Sequence, residues 1–506
     1  MKVELIIDSH VTFETDRLKG QSKKCFVELQ KKFTYSNPEH YKLRNMNYST
    51  RGVPSKLKSY TEKGNKISFS RGGIAKIKKI LRKYGHKVII RDERLSLPPV
   101  NFHSKIVLRD EQKPPVELLV KKQQGIIRGP CASGKTVMIL QAIAEVGQPT
   151  IVIVWEKTHQ IHWLKETLEF FGIDESEIGG CGGIFKKPKF GKINLCMQQS
   201  LLNKKNLAFF AERVGCVAGD EIQRYGAKTY QETINEFPAK HRFGCSANER
   251  RKDGKHFFIY DGFGKVLYEV PDENVGGRRP AKVTLIPTRF TSENYAVESN
   301  HPKVVTEMLN DANRNKLITM AVKRSLKKKK FVLILTERKA HALFLYFYFK
   351  KYRTSLLLGA TTPKNIRESG WPKKWKKFMS TFDNDAEFER IKTVGPEREL
   401  DLTIATQKGF IGLSVKTYDH GYVVTPTGIN MELFNQQKGR VERDHDADLE
   451  KRFGVKATPQ VFYMWDARIE KFQKAGNRIM KTYSGSKILR LKTKKQRMER
   501  NGKKKK

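Results

Sequence analysis

The chain has 506 residues, enough for roughly three domains at about 100–200 residues each. Ninety-nine Lys and Arg against 53 Asp and Glu leave a formal net charge of +46, while 38% of residues are hydrophobic and 10% aromatic. That balance excludes a disordered chain and points to a polyanionic partner, most often nucleic acid. No apolar run approaches the roughly 18–20 residues of a membrane span.

The opening MKVELIIDSHVTFETD is too acidic, and its apolar run too short, for a signal peptide. VELII and HVTFET read as short strands. RGGIAKIKKILRKY (71–84) reads as a helix with Ile74, Ile77, Ile80 and Leu81 on one face and its lysines largely elsewhere. KVIIR then reads as a strand, and the proline-bearing LSLPPVNFHSK marks a linker at about 95–105. Beyond it, Val/Ile/Leu-rich runs alternate with helical patterns: GIIRG, TIVIVW, KINLCM, VGCVAGD, KFVLILT, LDLTIAT and GYVVTP. Such runs suit parallel sheets buried on both faces, and they fall into two sets divided near residue 290. The last 31 residues hold 13 Lys or Arg and one Glu, and are expected to form a disordered basic tail.

The six cysteines form no CxxC pair, so neither a zinc ribbon nor a disulfide framework is indicated, and a reducing compartment follows. His159 and His162 have no companion ligands and read as surface or packing residues. The two tryptophans of GWPKKWKK (370–377) read as anchors of a basic loop before they read as a base-stacking wedge, and FLYFYF (344–349) as a buried helix.

The strongest local signal is Gly129-Pro130-Cys131-Ala132-Ser133-Gly134-Lys135-Thr136, a G-x4-G-K-[ST] between a strand-like QGIIR and a helix-like TVMILQAIAEV. In such a loop, glycines let backbone N–H groups close around phosphates, the lysine reaches the β and γ phosphates, and the threonine hydroxyl ligates Mg2+. Asp220-Glu221 follows the apolar VGCVAG, where a P-loop ATPase needs one carboxylate for Mg2+ and one to polarise water. Arg440 and Arg443, three apart on an expected helix, are candidates for neutralising charge during phosphoryl transfer.

In order along the chain, these motifs resemble the superfamily 2 helicase core. LRDEQ (108–112) resembles the adenine-reading segment, with Gln112 as reader. GPCASGKT resembles motif I. VWEKTHQIHWLKE (154–166) sits at motif Ia, with Trp163 where relatives carry a Gln-Trp, and LCMQQSL (195–201) looks like motif Ib. DEIQ (220–223) is similar to the DEAH or DEAD box, FGCSANERRKDG (243–254) to motif III and FVLILTER (331–338) to motif IV. LTIATQKGFIGLSV (402–415) resembles motif V and QQKGRVER (436–443) motif VI. Within the superfamily the resemblance is to UvsW-like phage helicases and, more distantly, to XPB-like enzymes, with DANRNKL (311–317) and the layout of the N-terminal hundred residues contributing.

This resemblance implies an α/β fold of two RecA-like parallel-sheet lobes (P-loop NTPase) with a small α/β N-terminal domain. It implies boundaries at 1–103 (accessory nucleic-acid-binding domain), 104–290 (lobe 1), 291–475 (lobe 2) and 476–506 (basic tail). It implies ATP and Mg2+ as cofactors, with Gln112, Gly129, Ser133, Gly134, Lys135, Thr136 and Ser414 at the nucleotide and Thr136 and Asp220 at the metal. Lys135, Asp220, Glu221, Arg440 and Arg443 are the catalytic set. Thr158, Gln199, Ser200 and Thr406 contact a strand backbone. The activity implied is ATP-dependent unwinding or branch migration of branched or duplex DNA in replication, recombination or repair. It would take place away from membranes, in the cytoplasm (a host's, for a phage protein) or the nucleus of a eukaryote. An RNA helicase or transcript-release translocase, and an architectural protein with a vestigial ATPase, are the competing readings. Gln223, Asn248 and Ser414 depart from the family pattern at the end of the box, in motif III and in motif V.

Overall fold

The structure is a computed structural model. It describes residues 2–16, 18, 22–130, 133–224, 232–247, 253–271, 280–296, 301–359, 361–395, 397–406, 409, 418–425, 431–439, 441–442, 458–483 and 485–491. The chain divides into two units, Met1–Gly276 and Gly277–Lys506.

The first unit opens with a five-stranded sheet. Its strands are β1 (Lys2–Ile7), β2 (His10–Glu14), β3 (Tyr60–Lys63), β4 (Lys66–Ser70) and β5 (Lys87–Asp92), in the order β3-β4-β2-β1-β5. Val3, Leu5 and Ile7 alternate with more exposed residues along β1, the period of a sheet with one covered face. Helices α1 (Lys23–Lys32) and α2 (Ile74–Lys83) cover that face with Cys25, Phe26, Leu29, Ile77, Ile80 and Leu81. The predicted 71–84 helix is therefore present, and its apolar stripe is the buried one.

An eight-stranded sheet follows: β6 (Gln124–Arg128), β7 (Thr150–Val154), β8 (Ile178–Gly182), β9 (Phe185–Lys189), β10 (Ile193–Met197), β11 (Cys216–Gly219), β12 (His241–Ser246) and β13 (Val266–Glu269). Its order is β9-β8-β10-β7-β11-β12-β6-β13, and every pairing is parallel except that of edge strand β9. Helices α3 (Lys113–Lys122), α4 (Lys135–Val146), α5 (Lys157–Phe171) and α6 (Phe257–Phe263) belong to this part.

The two sheets of this unit are stapled by a reciprocal pair of buried arginines. Arg71, 1% exposed, donates to Gln124 Oε1 (2.7 Å), Ala239 O (2.7 Å) and Asp8 O (3.1 Å). Arg242, fully buried in β12, donates to Phe237 O (2.9 Å), Gly262 O (3.0 Å) and, across the junction, Ser9 O (3.4 Å). Burying a guanidinium is costly to the extent that its donors go unmet; here backbone carbonyls supply most of the acceptors, while Arg71 Nη2 is buried without one among the described residues. Tyr35 stacks on Phe257 at 4.0 Å and gives its hydroxyl to Asp261 (2.8 and 3.0 Å). Burial pushes the Asp261 carboxyl up, against the pull of Lys76 at 3.7 Å. At Gly72 a Cβ would stand 2.2 Å from Tyr260 O, so only glycine allows this backbone contact.

The expected linker at 95–105 is instead a packed strap. Leu95 bridges to Ala239, Val100 N bonds Gly147 O (2.8 Å), Lys105 N bonds Phe170 O (2.8 Å), and Phe102 is 1% exposed. Its prolines mark the absence of regular structure, not freedom from the core.

The second unit carries β14 (Lys282–Pro287), β15 (Val332–Thr336), β16 (Thr354–Leu357), β17 (Leu402–Thr406), β18 (His420–Val423), β19 (Gln460–Trp465) and β20 (Lys487–Ile488). Their order is β16-β17-β15-β18-β19-β14-β20, all parallel. Helix α7 (Ala312–Lys327) brings Arg314 into a fully buried ion pair with Asp466, Nε to Oδ1 at 2.9 Å and Nη2 to Oδ2 at 3.2 Å. The aromatic run lies on α8 (Lys339–Phe349), with Leu345 and Phe349 buried, Phe344, Tyr346 and Phe347 half-buried and Tyr348 exposed. Trp375 on α9 (Lys373–Thr381) is parallel to Phe347 at 6.1 Å, and Trp371 packs on the same core. Both tryptophans anchor their basic segment, as the packing reading expects.

The described part of the predicted tail is folded. Residues 476–482 complete helix α11 (Glu470–Thr482), which follows α10 (Met431–Gly439) and buries Phe472, Ala475, Gly476 and Ile479. β20 adds to the sheet edge beside β14, and Leu489 N bonds Leu285 O (2.8 Å). The lysine count hid an amphipathic helix whose apolar face recurs every three to four residues. Residues 492–506 lie outside the described residues.

Candidate nucleotide site

The site is built at the carboxyl ends of parallel strands, where α/β sheets place ligands. β6 ends at Arg128 and feeds the glycine loop; β11 ends at Gly219 and presents Asp220-Glu221; β12 ends at Ser246. In-register pairing sets Ser246 beside Arg128, and Gly129 N bonds Ser246 O (3.1 Å).

Gly134 caps α4 in the left-handed region, φ +77°, with Gln112 Nε2 only 2.2 Å from where a Cβ would be. Gln112, 5% exposed, donates through Nε2 to Ser133 O (3.2 Å) and accepts from Arg109 N (3.1 Å). It is thereby fastened to the loop. Ser133 Oγ donates to Pro130 O (2.9 Å). Lys135 Nζ donates to Gly129 O and Pro130 O, both at 2.9 Å, so its ammonium lies over the loop's own carbonyls. Thr136, half-buried, is the second residue of α4. Cys131 and Ala132 lie outside the described residues.

Asp220 Oδ1 accepts from Glu221 N (2.8 Å) and from the Cys245 thiol (3.3 Å). Asp220 Oδ2 accepts from the Trp163 indole N–H (2.9 Å). Glu221 adopts φ +46°, a costly backbone state for a non-glycine residue and one that gathers at functional sites. Burial above all, and then the Asp220 charge, pushes the Cys245 thiol well up; Lys135 opposes this and Glu221 adds to it. Lys135, Asp220 and Glu221 thus bear on one buried point.

Gln223 links the acidic pair to a neighbouring strand. Its Nε2 donates to Glu221 Oε2 and its Oε1 accepts from Ser246 Oγ. The box's final residue therefore joins the acidic pair to the end of β12. Asn248, Ser414, Arg440 and Arg443 lie outside the described residues.

Thr158 is exposed on the first turn of α5, after β7; Gln199 is exposed and Ser200 half-buried after β10. All three stand at the same strand-end edge as the glycine loop. Thr406 ends β17 in the second unit, 3% exposed, with its hydroxyl accepting from Gly359 N (2.9 Å) and Gly409 N (3.2 Å). That hydroxyl organises its own turn. His162 pairs with Glu166 at 3.2 Å.

Sequence reasoning did not assign roles to Trp163 or Cys245 at Asp220. The lone indole in the helix QIHWLKE was a usable signal; nothing marked the cysteine.

The fold is that of RecA-like P-loop NTPases, and the site is a phosphate loop facing an acidic pair. The donor set fits a magnesium nucleotide: hard hydroxyl and carboxylate oxygens, an ammonium beside a helix N-terminus, and a glycine cap. A family model described as "Type III restriction enzyme, res subunit" matches residues 105–251. The Mycobacterium tuberculosis protein named DNA 3'-5' helicase XPB is 23% identical over 184 residues, 35% of this chain and 33% of its own. The chain spans about a third of the length of the first curated relatives it matches. Saccharomyces cerevisiae Dbp5, solved bound to RNA and ADP BeF3, covers 79% of this chain and 93% of its own at 14% identity and a TM-score of 0.51. The crystal structure of T4 UvsW covers 97% of this chain and 99% of its own at 14% identity and a TM-score of 0.42. The chain resembles superfamily 2 helicases of the XPB kind.

Proposed function

We propose that this protein is an ATP-dependent DNA helicase or translocase of superfamily 2, acting on branched or duplex DNA. The observation that carries the reading is the chain of contacts from Lys135 on the glycine loop to Asp220, Glu221, Gln223 and Ser246 at one sheet edge. A magnesium ion held by Thr136 and Asp220 would supply charge neutralisation at the phosphates. Lys135 leaves the loop carbonyls to take phosphate oxygens. Glu221, oriented by Gln223, accepts hydrogen bonding from the attacking water. Gln112, fixed to Ser133, reads the base, and Ser414, Arg440 and Arg443 complete the proposed set.

Thr158, Gln199 and Ser200 are proposed to contact strand phosphates, with Thr406 supporting the turn that follows it. Phosphate contacts fix position without reading bases, so binding is structure-selective and steeply salt-dependent. The net charge of +46 supports a polyanion track. The proposed domains are 1–103, a first lobe that runs from 104 to about 276 rather than to 290, and a second lobe that takes in β14 at its start and α11 and β20 beyond residue 475, because these elements build its sheet. No helix among the described residues is long and apolar enough to cross a membrane.

The test compares ATP turnover by the full chain with no polymer, single-stranded DNA, duplex, a four-way junction and RNA. Greatest stimulation by duplex or junction DNA is expected. Preference for RNA would replace the substrate assignment, and no stimulation by any polymer would refute the motor reading.

A further inference from the structure

We infer that Trp163 is a positioning residue for the nucleotide site: its indole N–H holds the metal-facing carboxylate of Asp220. The inference rests on the ATP-site reading above and gives the tryptophan at motif Ia a role at the acidic pair.

Trp163 has 0% exposure and sits in the middle of α5, packed in the core of the first parallel sheet. Its one polar atom donates to Asp220 Oδ2 at 2.9 Å. The other carboxylate oxygen is held by Glu221 N and the Cys245 thiol. Two donors on Oδ1 and one on Oδ2 fix the carboxylate plane and leave one lone-pair site, on Oδ2, for a cation. An indole N–H cannot turn away, because the ring is locked by packing, so it orients the acceptor more firmly than a rotatable hydroxyl would.

The helix bearing Trp163 is itself fixed at the sheet edge. Gln160, fully buried one turn earlier, donates to Gly182 O (3.1 Å) and Leu195 O (2.8 Å) and accepts from Ile184 N (2.9 Å). Thr158 lies exposed on its first turn. One rigid helix therefore carries a surface hydroxyl and the donor that holds Asp220.

The experiment uses full-length Trp163→Phe, which keeps the aromatic packing and removes the donor. Half-saturating Mg2+ for ADP binding, read by calorimetry, is expected to rise about tenfold, while metal-free ADP affinity stays within twofold and kcat at saturating Mg2+ within about threefold. An unchanged Mg2+ requirement in a folded variant overturns the inference. Should Trp163→Phe fail to fold, the unmodified chain answers by its five tryptophan indole N–H resonances. One of them is expected to shift with Mg2+ and ADP and to lose its downfield position in Asp220→Ala; no response in any indole signal overturns the inference. If the unmodified chain binds no ADP with Mg2+, the ATP-site reading falls, and the Trp163 assignment with it.

Discussion

Gln223 ends the DEIQ segment and bridges the acidic pair to β12, and replacing it tests whether that bridge matters. In Gln223→Ala, Glu221 Oε2 loses an amide donor and Ser246 Oγ loses its acceptor. A hydrogen bond to an ionised partner contributes about 1.5–3 kcal/mol and a neutral one about 0.5–1.5 kcal/mol. Both bonds exist before any reaction, so only the part that strengthens as the water attacks lowers kcat. A fall in kcat of about 10–100-fold follows, equivalent to about 1.4–2.8 kcal/mol. The ATP KM should move less than about threefold, because neither bond touches the glycine loop. Gln223→His, which places a ring donor at the same position, should recover most of the rate. Gln223→Glu should be worse than alanine, since it sets a second carboxylate against Glu221. The assay is steady-state ATP turnover with saturating DNA, alongside thermal unfolding of each variant. A Gln223→Ala protein that is folded and turns over at the unmodified rate would refute the bridge as a working part of the site.

In the second unit, Arg314→Met should destabilise by about 3–5 kcal/mol in urea unfolding, because it leaves Asp466 ionised and buried. Arg314→Met with Asp466→Leu should cost clearly less than the sum of the two single changes; strict additivity would contradict the pairing. Acid should destabilise both units through buried neutral histidines. Burial, chiefly, lowers His241 to about 4 and His420 to about 4, and burial with the nearby Arg314 charge lowers His341 to about 3. The unfolded chain binds these protons near pH 6.5, so stability is full above that value and falls as pH drops toward 4. Each histidine contributes about 2 kcal/mol of loss between pH 7 and pH 5. Urea midpoints measured at pH 7, 6 and 5 check this, and a flat midpoint would contradict it.

The two parallel sheets were legible because their strands are short Val/Ile/Leu runs. TIVIV, INLCM, VLILT and LTIAT are all central strands, buried at nearly every position. β12 and β8 were not legible in the same way. HRFGCS holds a histidine, an arginine and a serine yet is buried throughout, because Arg242 finds carbonyl partners that only the folded chain provides. IGGCG is too glycine-rich to carry a hydropathy signal. In the site, the glycine loop and the acidic pair were readable from spacing. Gln223 stood out as a departure, but its bridge depends on Ser246, which arrives from another strand. The Trp163 contact is of the same kind, made across 57 residues of sequence. Local pattern reports backbone geometry and burial; it does not report which polar atoms distant strands bring together.

The central claim is that the Lys135 loop and the acidic pair turn over ATP under the control of DNA. Its most direct measurement is ATP hydrolysis by the full chain with and without four-way-junction DNA, beside the full-length Lys135→Ala protein. The account predicts DNA-stimulated hydrolysis in the unmodified chain and background turnover in Lys135→Ala, with both proteins equally folded. Equal hydrolysis by the two proteins would contradict it.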